Sequence, residues 1–378
     1  MNFDRLDEFL AGLEATGKAG VDCAICMDGR PIHRFMRGMA DIERGVPVTN
    51  DTVFRFYSMT KPITCVAALQ LYEQGKFLMT DPVSRYLPEF SHMVVEHKAS
   101  REASAITIQQ LFTMTSGLSY NLYTWPLTRM AQDIKDYTTR DFVRAIAQSP
   151  LLFEPGEHWC YSLAHDVLGA LIEVLTGMRF GEYLEKNVFA PLGIKDAWFH
   201  MPEEALPRAA VRYGFNKASR TFIPEPEDKA AQRYRTYQRS KNVESGGAGL
   251  NMTVDAYAQF ALMLANLGTG ANGVRILNQK TVNLMRENHL TDAQLADFDW
   301  IQHRGYGYGL GVRTLMNRAQ AGALGEPGEF GWTGAAGTFL LVDPGRRLAL
   351  VYAQQATPSD EAYIHPRLRN LLYAALDD

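Results

Sequence analysis

The sequence predicts a mixed α/β fold of the α+β kind: an antiparallel sheet flanked by helices, with a helical lobe inserted into it. Three observations lead there. A helix and a hairpin open the 378-residue chain, a hairpin and a helix close it, and segments of helical period fill the middle. Both termini then build one α/β lobe, residues 1–75 with 245–378. Residues 76–244 form the mainly helical lobe, and the site lies between the two.

The elements follow in order. Phe3, Leu6, Phe9, Leu10 and Leu13 recur at helical spacing, and Gly17 and Gly20 punctuate the end. The apolar runs VDCAICM and PIHRFMRGMA flank Asp28-Gly29, a strong hairpin signal. Residues 63–74 are apolar-rich, with Pro62 before them and Gly75 after, which predicts a helix. Further helices are expected at 108–114, 139–148, 165–176 and 180–188. Residues 216–242 are charged, contain Pro224 and Pro226, and predict a long surface excursion to which no chemistry is assigned. Gly305, Gly307, Gly309 and Gly311 alternate in GYGYGLG; this is not a nucleotide-binding G-x-G-x-x-G, and period two suits a strand with one small face. GTFLLV (337–342) and RLALVYAQ (347–354) form a second hairpin about the turn at 343–346, and a terminal helix is expected near 366–376. No internal repeat is visible.

Composition narrows the function. Hydrophobic residues make up 46% and charged residues 21%, which excludes low-complexity disorder. The net charge of −4 comes without a basic run, so no nucleic-acid partner is expected. No 18-residue apolar stretch predicts a membrane span, and the first residues lack the basic start and apolar block of a signal peptide. A cytoplasmic, reduced setting is expected. Cys23, Cys26, Cys65 and Cys160 are too scattered for a disulfide framework. The Cys23/Cys26 pair falls in an expected strand with no second pair at zinc spacing, so it reads as core. The nine histidines (33, 92, 97, 158, 165, 200, 289, 303, 365) are dispersed, so neither metal nor cofactor is expected. His158 and His165 flank a tyrosine discussed below and sit either in the site wall or at helix ends.

There is no G-x-S-x-G, no H-E-x-x-H and no P-loop. One segment carries chemistry instead: Ser58-Met59-Thr60-Lys61-Pro62, the only S-x-x-K in the chain. Proline is tolerated in the first helical turn, where an N–H lacks a partner anyway, so Ser58 lies at a helix mouth. Unpaired N–H groups and the positive helix end can stabilise an oxyanion there. Lys61, three residues on, shares the helix face, and partial desolvation is expected to favour its neutral amine as base. Two weaker features accompany it. Tyr161, after the turn Glu154-Pro155-Gly156, offers a phenol that can pass protons. Gly331–Thr338 is rich in small residues before a strand, and the Ala335 N–H can supply a second oxyanion donor.

Together and in this order, these motifs resemble the serine β-lactamase and penicillin-binding-protein (transpeptidase-like) fold. Within it they are most similar to the class C β-lactamase-like branch and its family VIII carboxylesterases. FRFYSMTKPITCVAALQLYEQG, ITIQQLFTMTSGLSY, FEPGEHWCYSLAHDVLGALIEVLTG, SGGAGLNMTVDAYAQFALMLAN and YGYGLG carry the resemblance over nearly the whole chain. It implies Ser58 as acyl-accepting nucleophile, Lys61 as its activator and Tyr161 as proton shuttle. It also implies the N–H groups of Ser58 and Ala335 as oxyanion hole, with Tyr120, Leu163, Trp332 and Gly334 lining the substrate site.

Two departures sharpen this. The family's Tyr-x-Asn becomes Tyr-x-Leu at Leu163, and the cation of the third motif becomes Trp332. Leucine cannot bond a substrate amide, and an indole cannot hold a carboxylate as a point charge. Each lost contact costs about 1–3 kcal/mol. Both changes favour esters of small, largely apolar acyl groups, and a tryptophan in the third motif is a family VIII trait. A serine carboxylesterase with at most weak β-lactamase activity is therefore expected, acting on a small-molecule ester. The alternatives are a β-lactamase, a D-amino-acid peptidase or amidase, an acyltransferase to an alcohol or amine, a non-catalytic homologue, or a metal enzyme.

Overall fold

The computed structural model describes residues 1–96, 102–225 and 240–377. Helix α1 (Asp4–Gly12) leads into strands β1 (Gly20–Met27) and β2 (Arg30–Asp41), followed by β3 (Val46–Pro47) and β4 (Val53–Arg55). Helix α2 (Thr60–Glu73) comes next, then α3 (Ile108–Phe112), α4 (Trp125–Asp133), α5 (Thr139–Ala147), α6 (Ala164–Thr176) and α7 (Phe180–Leu184). Short strands β5 (Ala197–Trp198), β6 (Tyr213–Asn216), β7 (Thr221–Pro224) and β8 (Asn251–Thr253) precede α8 (Val254–Ala265) and α9 (Gln279–Arg286). The chain closes with β9 (Tyr306–Tyr308), β10 (Arg313–Leu315), β11 (Phe330–Gly331), β12 (Thr333–Gly334), β13 (Thr338–Asp343), β14 (Leu348–Gln354), β15 (Ala356–Thr357) and helix α10 (Glu361–Asp377).

The main sheet runs β3-β2-β1-β14-β13-β11-β10-β9, with β12 beside β13, and its ladders are antiparallel. Strands from both ends of the chain thus meet at its centre, where Cys23 lies opposite Tyr352. Asp28 and Gly29 both have positive φ, 51° and 79°, the geometry of a tight two-residue hairpin. Alternation along β1 sends Val21, Cys23 and Ile25 to the core under α1 and α10, and Ala24 and Cys26 to the core on the other face. The two cysteines therefore face opposite sides of the sheet, and burial pushes both thiols up, Cys26 to about 11. They are core residues.

The second core holds α2, α6 and α8. Helix α2 is buried almost all round, which accounts for a sequence without a polar face. It begins at Thr60, so Pro62 falls in its first turn, and Gly75 follows it at φ 69°.

The structure departs from the expected elements at three places. Helix α10 begins at Glu361 and contains Pro366; the Asp360 carbonyl accepts the N–H groups of Tyr363 and Ile364 and sets the start earlier. The segment expected as helix 180–188 changes to a π turn at Glu185–Phe189. The expected excursion opens as the hairpin β6–β7, whose β6 pairs in parallel with β15. Residues 226–239 of that excursion, and His97, lie outside the described residues. Among the described residues no helix is long and apolar enough to cross a membrane.

Candidate active site

The serine is placed by a 3₁₀ turn, Tyr57–Met59, that runs directly into α2. Tyr57 turns the chain with φ 47°, an unfavourable value for a residue with a large side chain. The turn is held by its neighbours: the Tyr57 hydroxyl accepts from Arg212 Nη1 at 3.2 Å, and Arg212 is paired with Glu225. The Phe56 N–H donates to the Leu250 carbonyl and its carbonyl accepts from Met59, both at 3.0 Å. Ser58 ends 9% exposed, just reachable, while Lys61 is wholly buried.

Lys61 Nζ donates to Ser58 Oγ at 3.3 Å and to the Gly247 carbonyl at 2.8 Å. It also lies 4.5 Å from the centre of the Tyr161 ring and 5.3 Å from that of Tyr120. Burial lowers its affinity for the proton and is the largest influence. Electrostatic coupling to Tyr161, Tyr120 and Asp166, with a hydrogen bond to Tyr161, outweighs burial, so Lys61 stands above the ordinary lysine value. This corrects the expectation that desolvation alone leaves the amine neutral.

The acceptor for Lys61 is itself held. Buried Asp166 accepts from Ser245 Oγ at 2.6 Å and from the Gly247 N–H at 3.3 Å. A Cβ on Gly247 would sit 2.5 Å from Asp166 Oδ2, so only glycine lets the loop come this close. Sequence reasoning did not single out Asp166 or Gly247. The signal was present as Ser245-Gly246-Gly247, a run that invites a close backbone approach.

Tyr161 stands in an aromatic cage. It stacks on Tyr120 at 5.3 Å and on Trp332 at 5.7 Å, with Trp300 edge-on at 5.7 Å. The Trp332 indole N–H donates to the Tyr161 hydroxyl at 3.2 Å. The sequence places Trp332 and Leu163 on the substrate surface, but they are only 1% and 2% exposed. Leu163 packs into the core, and its N–H donates to the Ser119 carbonyl at 3.2 Å. Trp332 meets the site at Tyr161, through its indole hydrogen bond and the stacked rings. Trp300 and Tyr308, which pack on Tyr161 and Trp332, were not foreseen; they lie some 140 residues away in sequence from Tyr161.

Gly334 lies in β12 against the nucleophile turn, where a Cβ would collide with the Phe56 carbonyl and Thr338 Oγ1. Thr338 Oγ1 donates to that same carbonyl at 3.2 Å. The next residue, Ala335, is exposed at the end of the strand. Of the two histidines, His165 is fully buried beside the Phe112 carbonyl, and burial reinforced by Lys61 drives its pKa down to about 3. His158 pairs with Asp297 at 3.0 Å on an exposed edge. Among the described residues, no group of three or more His, Cys, Asp or Glu is arranged to hold a metal.

A serine and a buried lysine on one turn, faced by a tyrosine beneath a mixed sheet and helical layer, define a serine hydrolase of the β-lactamase fold. The beta-lactamase family profile matches residues 6–374, and the chain belongs to that family. The chain is 31% identical to esterase EstB of Burkholderia gladioli, over 98% of this chain and 95% of that one. It is 34% identical to monacolin J acid methylbutanoyltransferase of Aspergillus terreus over 42% of this chain and 40% of that one. Among solved structures, EstCE1, a hydrolase with promiscuous acyltransferase activity, superposes with a TM-score of 0.81 at 26% identity, covering 98% of this chain and all of its own.

Proposed function

We propose that this chain is a carboxylesterase that works through an acyl-enzyme on Ser58. The observation that carries the proposal is the Lys61 amine, buried between Ser58 Oγ and the Gly247 carbonyl, with Tyr161 at its back. A neutral amine beside a phenol and an ammonium beside a phenolate contain the same number of protons. Either arrangement accepts one proton as Ser58 Oγ attacks the ester carbonyl. The N–H groups of Ser58 and Ala335 stabilise the oxyanion. Tyr161 then passes the proton to the departing alkoxide. Water repeats the sequence, the pair taking its proton and returning it to Ser58 as the acid leaves. The indole in place of a cation suits a reacting centre without a carboxylate beside it, and the esterase relative agrees with this reading.

The test is hydrolysis of p-nitrophenyl butyrate. Ser58→Ala is expected to lower kcat/KM by about a thousandfold or more, and a fluorophosphonate is expected to add its mass at Ser58 alone. An unchanged rate in Ser58→Ala overturns the proposal. Nitrocefin and a D-alanyl amide are expected to react more slowly than the ester.

A second reading is acyl transfer, favoured by the named activities of the methylbutanoyltransferase relative and of EstCE1. An alcohol or amine then replaces water in the second half-reaction. Acylated acceptor accumulating in proportion to added alcohol distinguishes transfer from hydrolysis.

A further inference from the structure

Beside the nucleophile turn lies a cavity of about 320 Å³. Two of its walls belong to the site already described. Tyr57 precedes Ser58 directly, and Ala248 follows Gly247, whose carbonyl holds Lys61. The cavity is thus lined by the chain neighbours of Ser58 and of Gly247.

Its remaining walls are unusual in charge. Phe199 and Leu206 supply apolar surface, and Arg55 and Lys241 supply cations. The chain has more acidic than basic residues, 42 against 38, yet among the described residues no carboxylate appears in this lining. Among the described residues Arg55 and Lys241 make no ion pair. Arg55 spends only Nη1 on the Ala210 carbonyl, at 3.1 Å. His200 is turned aside, its Nε2 at 2.9 Å from the Val243 carbonyl. Two cations without an ion pair among the described residues, on the lining of one concave space, form a receptor for an anion, and an arginine fork suits a carboxylate.

We infer that this cavity binds a carboxylate at the far end of the ester substrate. The inference rests on Ser58 being the nucleophile and refines the substrate class: uncharged around the scissile carbonyl, anionic several bonds away. The chain thus lacks a cation at Trp332 and presents two at Arg55 and Lys241. The carboxylate belongs either to the acyl group or to the leaving alcohol, and both sources share the same recognition.

The test uses matched esters. Mono-p-nitrophenyl glutarate carries the carboxylate on the acyl side, and 4-carboxyphenyl butyrate carries it on the alcohol side. Each is compared with its methyl-capped, neutral counterpart. The wild-type protein is expected to favour one of the two acids over its neutral counterpart by about tenfold in kcat/KM. That ratio is expected to fall to about one in the double variant Arg55→Gln/Lys241→Gln and to an intermediate value in Lys241→Gln, which alters only an exposed side chain. Wild-type ratios at or below one for both acids, or a ratio the double variant preserves, overturn the inference. Calorimetric titration of monomethyl glutarate into Ser58→Ala reads the cavity without turnover. Binding weakened about tenfold by the double variant upholds the cavity even if no ester is hydrolysed, a result that would fall on the proposed reaction alone. No binding overturns the cavity.

Discussion

The indole Nε1 of Trp332 donates to the hydroxyl of Tyr161 at 3.2 Å, from a side chain that is itself 1% exposed. A donor fixed from behind occupies one lone pair of the phenolic oxygen and stabilises negative charge on it. The residue that most separates this chain from the β-lactamase pattern is thus a hydrogen-bond partner of Tyr161, and little of its surface is open to solvent.

Trp332→Phe keeps the ring and removes the donor. We expect kcat on p-nitrophenyl butyrate to fall about tenfold, the equivalent of roughly 1.4 kcal/mol, with KM changing little. Steady-state kinetics alongside thermal unfolding check this; a variant as active as wild type shows that the indole N–H contributes nothing.

Asp166→Asn keeps the shape at the Gly247 loop and removes the charge. Asp166 helps Lys61 hold its proton, so its loss lowers the lysine's affinity for it. The acidic limb of the kcat/KM profile, set by the pair that must accept the serine proton, is expected to move to lower pH, and kcat to drop several-fold. An unmoved acidic limb contradicts electrostatic coupling between Asp166 and Lys61.

Gly334→Ala forces a methyl group into the Phe56 carbonyl and Thr338. Either β12 or the nucleophile turn must shift, at a cost of about 1–3 kcal/mol. Activity is expected to fall more than stability, because the displaced turn contains Ser58. Comparing urea midpoints with kcat/KM tests this order.

Acid sensitivity follows from buried histidines. His165 and His365 are neutral inside the protein, with pKa values pushed down to about 3, chiefly by burial. In the unfolded chain they take up protons near pH 6.5. The unfolded state therefore binds more protons between these values, and stability is full above about 6.5 and lost as pH falls. Each contributes a slope of about 1.4 kcal/mol per pH unit through that window. His365 stacks on Phe339 at 4.5 Å, away from Ser58, so His365→Gln isolates one of them. Urea unfolding at pH 7.5 and 5 is expected to show the stability gap between wild type and variant narrowing at the lower pH. A gap of constant size shows that His365 titrates alike in both states.

Much of the framework was legible because its signals are local. Asp28-Gly29 specifies a hairpin by the positive φ its two residues tolerate. The apolar run after Pro62 specifies a helix that is buried on nearly every side. The start of α10 was misplaced because Pro366 is a usual opener, whereas the Asp360 carbonyl already accepts the N–H groups of Tyr363 and Ile364.

The chain order of its residues thus determined the elements, the family, and the pairing of Ser58 with Lys61, since three positions on one helical turn are neighbours whatever surrounds them. Only tertiary structure decided what surrounds that pair. The Gly247 carbonyl and the charge of Asp166 reach Lys61, and the indole of Trp332 reaches Tyr161, from segments 105 or more residues distant. No periodicity along a chain encodes which carbonyl will face a lysine after folding. The affinity of Lys61 for its proton, and the burial of Trp332, exist only once those segments pack together.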